Sequence, residues 1–470
     1  PLGLLMQRQD ESSVNRFIGN VMLDYTTHFM EDLHLIVNVG GDFANSNGTV
    51  FVPAEAASDF LRGGVNNKYE QTKVNRVLDT YFNYKTDLRA LKSTVDLTGG
   101  YSFQYWSTES PEQPNLNVAG DTITPPGLPF FTDNALMSFY GRLNYNLAEK
   151  YILTATLRND GSSRFSPDTR WGLFPSVAFA WRLSEESLFK DIQSLSFLKL
   201  RVGWGITGQQ DIFSDYPYIA NYAEGTSTAQ YQFGDVFYTV LRPDGYDPNI
   251  KWEETTSINV GLDFGFNNNR WNGAIDVYRK TTEDLLSIIP IPAGTNFTNQ
   301  LLTNVGSMLN TGMEISLNYV AIDNENMTLE FGGNATFNRN EITKLNVLEN
   351  EDDPGILVGG ISGGVGNTIQ IHSVGFPVFT FYTYEQVYAE DGSPIEGEYV
   401  DQNGDGVINP DDIVRFDGNP APNLFIGFFS NFNYKKWTAG FSLRGEFGQY
   451  VYNNVNSSLG NYFNVGSTKG

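Results

Sequence analysis

Ser257-Ile258-Asn259-Val260-Gly261-Leu262-Asp263-Phe264-Gly265-Phe266-Asn267 alternates without a break. Side chains in a strand point to opposite faces with period two. Ile258, Val260, Leu262, Phe264 and Phe266 therefore share one face. Ser257, Asn259, Gly261, Asp263, Gly265 and Asn267 share the other. A strand of about ten residues with one apolar and one polar face, repeated along a chain, is the signature of a transmembrane β-barrel. On that reading Val260 and Leu262 face lipid. Asn259 and Asp263 face the lumen and are expected to tolerate added charge.

Other stretches repeat the pattern. Phe139, Gly141, Leu143, Tyr145 and Leu147 oppose Tyr140, Arg142, Asn144 and Asn146. Met327, Leu329, Phe331, Gly333, Ala335 and Phe337 oppose Thr328, Glu330, Gly332, Asn334, Thr336 and Asn338. Met313, Ile315, Leu317 and Tyr319, and likewise Phe441, Leu443, Gly445 and Phe447, sit across from polar neighbours. Period alone does not separate a barrel from a soluble sandwich. Length helps, because soluble strands average about five or six residues.

The strands fall into pairs, 16–27 with 33–43, 71–87 with 93–108, 136–147 with 151–159, and 172–183 with 198–207. Three more follow, 253–266 with 270–281, 309–320 with 326–338, and 424–434 with 437–448. Tight turns such as Asn146–Lys150, Asn267–Arg270 and Tyr434–Lys436 close the pairs. Long links at 44–70, 109–135, 208–252, 282–308 and 339–423 join them. Short turns on one side and long loops on the other is the periplasmic and extracellular asymmetry of outer-membrane barrels. The irregular spacing speaks against a propeller or solenoid. No helix-period segment and no second domain is expected.

Composition agrees. The 470 residues include no Cys, so there is no disulfide framework and no thiolate chemistry. The formal charge of −24 speaks against nucleic acid as a partner. Aromatics reach 14%, which suits interfacial girdles. Mean hydropathy is −0.30, as for a soluble protein. A barrel escapes that test because only half of each strand meets lipid. No apolar run is long enough for a transmembrane helix.

Several blocks, in order, resemble the SusC/RagA family of TonB-dependent outer-membrane transporters. They are Ser138–Tyr145, Tyr151–Arg158, Asp160–Phe165, Gly172–Glu186, Leu198–Gly205, Trp252–Thr256, and Asp401–Asp412 with Gly418–Pro422 after it. The resemblance implies an all-β fold, part of a large plugged barrel of about 22 strands. Fourteen strands leave others to come before residue 1 and after residue 470. The chain is accordingly expected to be an internal piece, without plug or TonB box. The resemblance also implies import of a bulky nutrient, oligosaccharide or peptide, across the outer membrane of a Gram-negative, Bacteroidetes-type cell. Its implied partners are a SusD-like surface lipoprotein and a TonB–ExbB–ExbD complex acting on the absent N-terminal part. Two alternatives stand beside it: a siderophore- or cobalamin-type receptor, and a soluble β-rich carbohydrate-binding surface protein.

Asp401-Gln402-Asn403-Gly404-Asp405-Gly406-Val407-Ile408-Asn409-Pro410-Asp411-Asp412 fits a calcium loop. Ca²⁺ takes six to eight oxygens. Asp401, Asn403 and Asp405 supply side chains at positions one, three and five, and Val407 a carbonyl at seven. Asp412 stands at position twelve, and Gly406 makes the sharp turn. The competing reading is an Asx-rich turn held by its own hydrogen bonds. Either way the role is structural. No catalytic or cofactor-binding residue is expected. Gly161-Ser162-Ser163-Arg164-Phe165 holds serines with no base in pattern, because the only histidines are His28, His34 and His372. Gly359, Gly360, Gly363, Gly364 and Gly366 lack the Lys of a phosphate loop and read as a flexible surface loop. Tyr382, Tyr384 and Tyr388, near Tyr399, Phe376, Phe379 and Phe381, are the candidate ligand-facing aromatics. Packing within the loop is their commoner use.

Overall fold

A computed structural model describes residues 6–455 except 213, 226–229, 293, 297, 346–354, 362–366 and 417. Gly363, Gly364 and Gly366 lie outside the described residues. Fourteen strands form one antiparallel sheet in which each strand neighbours the next in sequence. They are β1 (Gln9–Thr27), β2 (Met30–Val52), β3 (Val65–Leu88), β4 (Ser93–Ser110), β5 (Phe130–Leu147), β6 (Tyr151–Ser162) and β7 (Trp171–Arg182). Then come β8 (Leu195–Gln209), β9 (Glu253–Phe266), β10 (Trp271–Glu283), β11 (Gly306–Asn324), β12 (Met327–Leu345), β13 (Leu424–Tyr434) and β14 (Trp437–Phe447). These are the seven expected hairpins, in the expected order.

Sidedness follows the alternation. Ile258 and Val260 are exposed on one face, with Val202 and Val277 of the neighbouring strands. Val202, Val260, Val277, Met313 and Phe337 stand side by side across five strands. Left in water, such a band would be an aggregation surface. In a bilayer it is the lipid contact. The opposite face carries Lys199, Arg201, Asp263 and Asp276, paired with one another.

The tight turns have local causes. Asn267, Asn268 and Asn269 all take φ between 51° and 61°. Asn enters the left-handed region several-fold more readily than most residues. Ala148 and Glu149 also have positive φ, as two-residue hairpin turns require. The turn between β7 and β8 is longer and holds the short helix Ser187–Lys190. Aromatic rings collect near this end. Trp271 stacks on Tyr319 at 3.9 Å, and Tyr151 on Trp181 at 6.0 Å.

At the other end the strands run longer than the alternation indicated. β2 has 23 residues and β3 has 24. At about 3.3 Å per residue they reach roughly 75–80 Å, far more than the nine to eleven residues a span needs. The link expected at 44–70 therefore shrinks to 53–64. A polar strand end reads as loop in sequence, but ladder hydrogen bonds to a neighbour keep it extended. The longest link also has structure. Ile356–Gly360, Thr368–His372, Thr380–Tyr384 and Ile413–Arg415 form a four-stranded sheet within it. Gly359 and Gly360 belong to the first of those strands, which corrects their reading as loose loop.

Candidate functional site

The long-loop end is built around a small apolar core. Phe165 and Ile250 are fully buried, and Phe174, Ile212 and Trp252 nearly so. Phe165 and Phe174 each lie within 5.4 Å of the Trp252 ring, centroid to centroid. The Trp252 Nε1 donates to the Arg170 carbonyl at 2.8 Å, so the indole is both packed and satisfied. Blocks 160–165, 172–186 and 252–256, distant in sequence, thus meet at one point. Arg164 leaves the core and donates to Asp215 at 2.8 Å and Asp211 at 2.9 Å. Asp215 also accepts from Asn134 at 3.0 Å and from Thr132. Next to it, Tyr105 donates to Asp133 at 3.0 Å, and Tyr216 donates to the same carboxylate. Burial, and after it the Asp133 carboxylate, push the Tyr216 phenol up to about 12. Link 210–252 is stitched to the top of β5 and does not hang free there. A second apolar cluster, Ile289, Val305 and Ile356, ties link 284–305 to the start of the small sheet.

The aromatics of the longest link divide. Tyr382 is spoken for, because the Arg415 guanidinium lies over its ring at 5.8 Å and over Phe376 at 5.4 Å. Tyr384 packs on Tyr399 at 5.2 Å. Phe379 meets His372 edge-on at 4.7 Å. Tyr388 is 62% exposed and keeps its ring open to solvent.

The 401–412 loop is closed by its own side chains. Asp401 accepts from the Gly404 and Gly406 N–H groups at 2.7 and 2.8 Å. Asn403 accepts from the Asp405 N–H at 2.9 Å, and Asp405 from the Val407 N–H at 2.7 Å. Gly404 and Gly406 have φ of 75° and 82°, which only glycine takes without strain. Asp412 is fully buried and bridges the Gln402 and Asn409 N–H groups at 2.9 and 2.8 Å. The Asn409 bond in particular holds its carboxyl below the usual range. The donors are all oxygen, which suits a hard cation, and each carboxylate keeps unused lone pairs. Among the described residues, no three His, Asp or Glu side chains converge as a metal site. His34 pairs with Asp24, and His28 with Tyr25.

On the luminal face one network stands out. Lys199 reaches Asp263 at 2.7 Å, and Arg201 reaches Asp263 at 2.7 Å and Asp276 at 2.9 Å. Arg201, Gly261 and Asp276 lie in one row across β8, β9 and β10. The guanidinium crosses Gly261 to reach Asp276. A Cβ at Gly261 would come within 2.4 Å of the Asp276 carboxylate. Asp263 is therefore not a free luminal position, and the expectation that it tolerates a cation is corrected: Arg there would face Lys199 and Arg201. The usable signal was a Gly on a polar face, with charges two residues away and on adjacent strands.

Exposed apolar side chains outside, paired charges inside, short turns at one end and structured long links at the other define an outer-membrane β-barrel. The TonB dependent receptor-like, beta-barrel family matches residues 7–469, and the chain belongs to that family. It is an outer-membrane protein and not a soluble module. It is 40% identical over 472 residues to the TonB-dependent receptor SusC of Bacteroides thetaiotaomicron, spanning 98% of this chain and 46% of that protein. It is 31% identical to the TonB-dependent receptor P26 of Formosa agariphila, spanning 96% and 47%. The fold also matches the RagAB peptide importer in its closed-closed state, with TM-score 0.78 and 22% identity, over 94% of this chain and 49% of that one. The chain spans about half the length of the relatives it matches.

Proposed function

We propose that the whole protein imports a bulky nutrient, an oligosaccharide or a peptide, across the outer membrane as the barrel of a SusCD-type complex. The observation that carries this is 40% identity to SusC along nearly the whole chain. The RagAB fold match supports a barrel that admits large cargo. A SusD-like lipoprotein closes the long-loop mouth, and TonB–ExbB–ExbD supplies energy through a segment outside this chain. The barrel is a conduit and does no covalent chemistry. The 401–412 loop binds one Ca²⁺ through Asp401, Asn403, Asp405 and the Val407 carbonyl, with Asp412 closing the far end. Deleting the gene and following uptake of labelled oligosaccharides and peptides tests the transport reading. Loss of uptake for one class, restored by the intact gene but not without TonB, is the expected result. Unchanged uptake of both classes overturns it.

A further inference from the structure

The outward face carries a groove of about 480 Å³ near the short-turn end of β10–β13. Gly333 and Ala335 form its floor. Trp271, Tyr319, Phe331 and Phe428 form its walls. The cause lies in the register. Gly333 stands between Leu317 and Phe428, and Ala335 between Ile315 and Ile426. Large side chains project on both sides of a strand that has almost none at those two positions. The row from Val202 to Phe337, by contrast, is filled.

The groove lies within the lipid-facing band, so what covers it is lipid. Trp271 is the first residue of β10, and Tyr319 pairs with it. The groove therefore lies at the end of the short turns, which face the periplasm. Arg270 sits directly beyond Trp271. Its Nη2 donates to the Ala321 carbonyl at 3.5 Å, two residues past Tyr319, so the guanidinium sits just beyond the short-turn end of the groove. A cation there meets a phosphate, and aromatic walls at that depth suit the headgroup boundary. We infer that the groove holds one acyl chain of a phospholipid of the periplasmic leaflet, with its phosphate at Arg270. The inference rests on the outer-membrane placement of the chain.

The full-length protein in nanodiscs, doped with brominated-chain phosphatidylethanolamine, tests this through quenching of the Trp271 emission. That emission is taken as the difference from a Trp271→Phe variant. A filled groove saturates the quenching at a mole fraction several-fold below that of bulk lipid. Ala335→Phe, and the smaller Ala335→Leu, occupy the floor and make quenching proportional to mole fraction. Arg270→Gln shifts the curve for the phospholipid but not for brominated diacylglycerol, which lacks the phosphate. Proportional quenching in the unaltered protein, indistinguishable from Ala335→Phe, overturns the site and leaves ordinary boundary lipid. Absence of any quenching of outward tryptophans at high bromolipid would instead fail the membrane placement itself.

Discussion

At the residue scale the two faces of one strand have different rules. Val260 is 45% exposed on the lipid face. Val260→Arg should destabilise the refolded barrel by about 2–4 kcal/mol if it sits near the midplane. Asn259→Arg, on the luminal face, should cost far less. Denaturant titration in lipid compares them, and equal losses would remove the sidedness of β9. Asp263→Arg should be the costly luminal change, by about 1–3 kcal/mol, because it sets three cations together in a half-wet site. Asp263→Asn should cost less, since it keeps hydrogen bonds to Arg201. The 401–412 loop titrates in a defined direction. The Asp412 carboxyl is held low in the folded loop, so its contribution is full above the ordinary carboxylate value. It is lost as pH falls through the folded one. Protection from hydrogen exchange at 401–412, taken relative to the unstructured-peptide rate at each pH, should therefore be full near neutrality and fall below about pH 4. Calcium should slow exchange further at neutral pH, and Asp405→Ala should abolish that calcium effect while leaving the barrel folded. Exchange indifferent to calcium in the unaltered protein means the loop is only a turn.

At the element scale the links behave as small folded units on a rigid wall. Phe165 is fully buried among Phe174, Ile212, Ile250 and Trp252. Phe165→Ala should weaken this local core by about 3–5 kcal/mol. The reading is local: protease should cut within 210–252, while the strands keep their heat-modifiable migration on a gel. Loss of that migration would mean the core is part of the barrel's own stability. Alternation made the spans legible, because lipid and lumen impose opposite demands on successive residues. It could not show the upper reaches of β2 and β3, where both faces are wet and the pattern fades. Nor could it show the Phe165–Trp252 core. Its members come from two links and strand β7, and only the pairing of the strands brings them together.

At the scale of the whole molecule, topology sets what each side of the membrane sees. Protease on intact cells lacking the lipoprotein should reach 53–64, 284–305 and the exposed parts of 346–423. It should spare Asn267–Arg270 and Asn146–Lys150. Cutting at the short turns instead would invert the orientation. The sheet's two ends, β1 and β14, each have one neighbour among the described residues. Unpaired strand edges of this length are not stable in a bilayer, where every backbone polar group needs a partner.

By itself the sequence determined the fold class, the number and order of the barrel strands, and which face of each meets lipid. The physical reason is that a two-residue period and a turn's need for left-handed residues are local, and both are written in adjacent positions. Only the tertiary structure decided the use of the polar face. Lys199, Arg201, Asp263 and Asp276 become one network because the register sets Gly261 between them. The same register placed Gly333 and Ala335 between large neighbours and so hollowed the outer wall. Register depends on strand pairing across tens of residues, and no single strand records it.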